Sequence, residues 1–168
     1  VTDTITVGNS PSGGGVVGPW DLAIGEGAVW VTASDFDDYT DGDGVLFRID
    51  PEAAEVVGAT STCPAGSVCG DPSNWGGVGW PGTFPSGIAA GDGAGWLTNE
   101  NDSVDVDGDS VWRIDPDTGD VIDLIGVGDD PQSIAVGEGA VWVANTDDST
   151  VSRIGIPDDD SDADATTA

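Results

Sequence analysis

Apolar and polar positions alternate along three stretches of the chain, each folded about a Gly-acid-Gly triplet: residues 19–34 (PWDLAIGEGAVWVTAS), 85–100 (PSGIAAGDGAGWLTNE) and 131–146 (PQSIAVGEGAVWVANT). Period-two alternation rich in Val, Ile and Trp is the pattern of half-buried or buried strands, and a Gly-flanked turn between two such runs joins them as a hairpin. A further strand-like run follows each hairpin: VLFRIDP at 45–51, SVWRIDP at 110–116 and TVSRI at 150–154. EVVGAT at 55–60 and VIDLIGVG at 121–128 then add a fourth strand to the first two units. A repeat of about 40 to 45 residues built from four short antiparallel strands has the length of a propeller blade. The predicted fold class is therefore all-β, a β-propeller of four-stranded antiparallel blades with about three blades in this chain.

In chain order, residues 1–8 (VTDTITVG) read as an orphan outer strand and 9–18 as a flexible connection. Blade 1 spans 19–60, an insertion rich in Gly, Cys and Trp spans 61–84, and blade 2 spans 85–128. Blade 3, at 129–156, lacks its outer strand, and 157–168 (PDDDSDADATTA) form an acidic tail expected to be disordered. Closed propellers typically hold about four to eight blades, so three units leave a ring incomplete. The expected solutions are a longer parent chain, a six-bladed ring from two copies exchanging strands, an open head-to-tail filament, or a three-unit structure that does not close. The expected partner is thus the chain itself or the rest of a longer chain. In a closed ring the orphan strand and the incomplete blade complement each other.

The phrases GEGAVWVANTDDSTVSRI (137–154) and RIDPDTGDVI (113–122) resemble the repeats of YncE-like and virginiamycin B lyase-like β-propellers, and the likeness covers nearly all of residues 19–154 outside the insertions. The lyase branch of that resemblance implies a His general base and a Mg²⁺ ion, whereas this chain contains no His. One propeller scaffold carries many unrelated activities, so the resemblance speaks for fold more than for chemistry.

Composition changes the picture in one respect. The chain of 168 residues carries 32 acidic and 3 basic residues, a formal net charge of −29, and no His or Met. At molar salt the Debye length falls to about 3 Å and self-repulsion of this kind is largely screened. A salt-adapted folded domain is the expectation, with an acidic cation-binding surface as its rival. A field of this sign repels phosphate backbones and anionic headgroups, which excludes nucleic acid as a partner, and no apolar run approaches the roughly 20 residues of a membrane span. Start at Val1 is read as processing, and the expected location is secreted or at the cell surface.

Candidate residues follow from the repeat and its interruptions. Cys63 and Cys69, in CPAGSVC, are spaced for a small disulfide loop, the alternative being two buried thiols. Asp41 and Asp43 in one insertion and Asp105, Asp107 and Asp109 in another alternate with other residues beside Gly, a pattern that can fold carboxylates around Ca²⁺, the one cofactor expected; solvated acidic surface is the alternative. Trp75 and Trp80, in NWGGVGWPG, either stack on a ligand or partner or pack over their own loop.

Arg48, Arg113 and Arg153 hold the same slot in the three units, so a structural guanidinium paired with a carboxylate is expected. Glu26, Asp92 and Glu138 of the turns are the candidates, or else Asp50 and Asp115. An anionic ligand on an Arg cluster is the other reading. Trp30, Trp96 and Trp142 recur in register and are expected in the core. No nucleophile with a base is recognisable, so no catalytic residue is assigned. The function expected is a binding or assembly scaffold, working through strand complementation between subunits. A carboxylate- or metal-assisted lyase or hydrolase, or a sensor module of a larger protein, is the competing reading.

Overall fold

The computed structural model describes residues 3–8, 18–34, 44–62, 84–100 and 109–156, and within them every regular element is a strand. In chain order these are β1 (Gly18–Gly25), β2 (Ala28–Ser34), β3 (Val45–Asp50), β4 (Glu55–Ser61), β5 (Phe84–Gly91), β6 (Ala94–Glu100), β7 (Ser110–Ile114), β8 (Val121–Gly126), β9 (Pro131–Gly137), β10 (Ala140–Asn145) and β11 (Thr150–Gly155). They form three antiparallel meanders, ordered β1-β2-β3-β4, β5-β6-β7-β8 and β9-β10-β11. The inner strands β1, β5 and β9 lie side by side in that order, so the sheets are successive blades of an incomplete β-propeller.

Local chemistry explains the hairpins. Glu26–Gly27, Asp92–Gly93 and Glu138–Gly139 all take positive φ at both positions, the two-residue turn whose twist matches that of the flanking strands. Asp50 and Asp115 shape the later turns in the same way as each other. Asp50 Oδ1 accepts from Glu52 and Ala53 N–H, and Asp115 Oδ1 from Asp117 and Thr118 N–H. Backbone bonds from Ala54 N to Asp50 O and from Gly119 N to Asp115 O, both 2.9 Å, close the two turns.

The core lies between blades. Ala28, Trp30 and Leu46 of the first sheet pack on Ile88, Leu97, Trp112 and Ile114 of the second. Ala94, Trp96 and Val111 of the second pack on Val141 and Val143 of the third, with Ile134, Val136 and Ile154 beside them. Each blade thus has a leading face, carrying its Trp, and a trailing face that receives the Trp of the blade before it. Residues 3–8 pair with no sheet, and Val7 packs on the trailing face of the first, among Val31, Phe47 and Ile49.

Candidate functional site

The Trp and Arg slots of the repeat meet each other. In every blade they are direct cross-strand partners, Trp30 with Arg48, Trp96 with Arg113 and Trp142 with Arg153. The guanidinium lies over the indole, 6.0, 5.5 and 5.5 Å from the ring centroid, within range of attraction to the ring quadrupole. Each indole N–H donates to the carbonyl that ends the preceding strand: Trp30 to Gly25 at 3.1 Å, Trp96 to Gly91 at 3.1 Å and Trp142 to Gly137 at 3.0 Å. The three rings are therefore oriented by the same two contacts.

Their surroundings differ. Trp30 and Trp96 are 0% and 2% exposed, whereas Trp142 is 38% exposed. One strand over, Leu46 and Val111 are 2% and 0% exposed and Val151, in the same slot, is 66% exposed. Trp142 is thus a correction to the expectation that all three Trp lie in the core. Its fixed orientation is that of a core residue, but among the described residues no fourth blade covers it. The glycine before each turn records the same change. A Cβ on Gly25 would meet Ala90 at 2.9 Å and one on Gly91 would meet Val136 at 3.2 Å, while one on Gly137 would meet nothing within 4 Å. At this slot the absent side chain lets the next inner strand approach, and at Gly137 no strand of the described residues does so.

The opposite end of the arc is open along its inner strand. Trp20, Leu22 and Ile24 of β1 are 60%, 60% and 75% exposed, whereas Ile88, the counterpart of Leu22 in β5, is buried. β11 forms the outer edge of a three-stranded sheet, and among the described residues no strand pairs with that edge. Both features are ordinarily covered, because exposed apolar faces and unpaired edges recruit other chains.

The remaining candidates divide sharply. Cys63, Cys69, Asp41, Asp43, Asp105, Asp107, Trp75 and Trp80 lie outside the described residues. Asp109 is half-buried before β7, and its carbonyl accepts from Val127 N–H. Of the turn acids, Glu26 Oε1 accepts from Gly93 N–H at 3.2 Å, tying the first turn of blade 1 to that of blade 2. Arg48 Nη1 donates to the Asp117 carbonyl at 2.9 Å, docking blade 1 on the β7–β8 turn, and Thr60 donates to Gly119 O of that turn at 2.8 Å. Asp50 and Asp115 lie within the field of Arg48. Their carboxyls are held below the ordinary value mainly by the N–H groups of Ala53 and Glu52, and of Thr118 and Asp117, with Arg48 adding a smaller attraction.

Sequence reasoning passed over Val151, Gly137, Leu22 and Ile24. The signal was present in the direction of each blade: if every Trp face points to the next unit, the last Trp face and the first inner strand are left uncovered.

No family model matches the chain, and no curated protein does. Among solved structures, a glutaminyl cyclase from Myxococcus xanthus is similar at 15% sequence identity and a TM-score of 0.34, over 85% of this chain and 75% of that one. Likeness at that level bears on neither residue roles nor activity.

Proposed function

We propose that the chain is a binding and assembly scaffold of the YncE-like propeller kind, salt-adapted and working outside the cell, whose third blade takes its outer strand from a partner. The observation that carries this reading is the asymmetry of the sheets: among the described residues the first two have four strands and the third has three, with β11 at its edge. Strand addition satisfies a row of backbone groups at once and is a recurrent mode of protein recognition. Residues 3–8 are suited to supply such a strand, because they lie unpaired and Val7 is the member that packs on the cluster of the first blade. The net charge of −29 sets the condition, since two such chains approach closely only where salt screens them.

Hydrogen exchange at molar salt tests the reading. β11 amides not bonded to β10 are expected to slow as protein concentration rises, in step with residues 3–8. Unchanged, fast exchange at β11 across the concentration range contradicts it.

A further inference from the structure

The glycine and Trp packing contacts of both internal junctions, and two polar contacts of the first, have unfilled counterparts at the two ends of the arc. We propose that these ends bind one another between two copies of this chain, the Trp142 face of each third blade seating on the β1 face of the other copy's first blade to close a twofold dimer. The proposal rests on the scaffold reading and names its partner.

The internal junctions supply the template. Gly25 faces Ala90 and Gly91 faces Val136, and by strand register the next pair in the series is Gly137 with Ile24. Gly137 meets nothing within 4 Å, and Ile24 is 75% exposed. Trp30 packs with Ile88, and Trp96 has Ile134 beside it. The corresponding pair is Trp142 with Leu22, and both are exposed.

The polar rim of the first junction offers a similar comparison. Arg48 reaches over the junction to the turn that starts at Asp115. A duplicate of that turn, with the same Asp cap and the same closing bond, starts at Asp50 in blade 1. It is the natural receiver for Arg153 of the other copy. Glu26 bonds Gly93 N–H across one junction, and Glu138 with Gly27 is the matching pair at the ends.

The open face is also preorganised. Trp142 is held by Gly137 O and Arg153 in the manner of the buried Trp96, so little side-chain ordering opposes binding. A leading face meeting a trailing face is a heterologous contact, and a twofold arrangement forms it twice and leaves neither end free. Val7 lies on the outer part of the trailing face. Passage of residues 3–8 to β11 of the other copy vacates that part and completes the third blade in one step.

Two variants separate the faces. Val151→Asp blocks the leading face and Leu22→Asp the trailing one, at positions 66% and 60% exposed, so unfolding midpoints at monomer concentrations should stay near that of the unsubstituted protein. Buried in a junction, either unpaired carboxylate opposes association, and dimer affinity is expected to fall by about 100-fold or more. Light scattering at molar salt should show a dimer for the unsubstituted chain and monomers for each variant alone. An equimolar mixture should form a one-to-one complex through the intact third blade of L22D and the intact first blade of V151D.

A monomeric unsubstituted chain, a growing filament, or a dimer lost in V151D but kept in L22D overturns the proposal. Dimers kept in both variants, with β11 amides protected on association, overturn the face pairing and leave the strand-acceptor reading standing. A variant-sensitive dimer with β11 amides still exchanging fast does the reverse.

Discussion

The junction between the second and third blades and the outer face of the third blade are built from the same parts. Trp96 and Trp142 each sit opposite an Arg, 5.5 Å from its guanidinium, and each donates to the glycine carbonyl that ends the preceding strand. One is 2% exposed and the other 38%. The difference owes nothing to the residues in the slot, and everything to whether another sheet follows. Local contacts therefore set the orientation of the ring, while burial is conferred by the neighbour. A face prepared in this way has had much of its ordering cost met before any partner arrives.

The largest expected contrast comes from removing the rings. Trp96→Ala should destabilise the monomer by about 3–5 kcal/mol through lost burial and the cavity left behind. Trp142→Ala should cost about 1 kcal/mol or less at concentrations where the chain is monomeric. Denaturant unfolding at molar salt reads both, and equal losses would mean that Trp142 is covered in the monomer.

Filling the glycine slot comes next. Gly25→Val forces a side chain against Ala90 and should cost about 1–3 kcal/mol, as overpacking does. Gly137→Val meets open space and should leave monomer unfolding unchanged while weakening association. Reversal of that order in unfolding and light-scattering measurements would break the comparison.

A smaller separation is expected for the cations. Arg48→Met loses the bond to Asp117 O and the stack on Trp30, about 1–2 kcal/mol, while Arg153→Met should change monomer unfolding by less than about 0.5 kcal/mol. An unchanged melting temperature for the Arg48 variant would remove its role in the junction.

The smallest effect concerns pH. The Asp50 and Asp115 carboxyls titrate below their unfolded value because backbone N–H groups bind the charged form. Their contribution to stability is full above pH about 4 and is lost as pH falls through the lower folded-state value. A D50A/D115A variant should be less stable than the unsubstituted chain at neutral pH, and the gap in urea midpoint should close below pH about 4. A gap constant through the acid range would show that the turns gain nothing from the ionised form.

The fold was legible because its signals are local. Gly-acid-Gly specifies a turn with two positive φ values, and Val, Ile and Trp at period two specify the strands on either side of it. The partner of each Arg was less accessible. Trp30 and Arg48, like Trp142 and Arg153, are cross-strand neighbours joined by loops of different length, so no fixed spacing betrays their contact, and a carboxylate was the natural expectation for a guanidinium in an acidic chain. The exposure of Trp142 could not be read from its own surroundings in sequence, which match those of Trp30 almost residue for residue. It follows from blade order and blade direction, which are properties of the assembled arc.

The most direct test of this account is the molar mass of the unsubstituted chain by light scattering at molar salt, where charge repulsion between two chains of −29 is screened. The account predicts a concentration-dependent equilibrium between one chain and two that shifts toward one as salt is lowered. A single-chain mass at every concentration and salt level would contradict it.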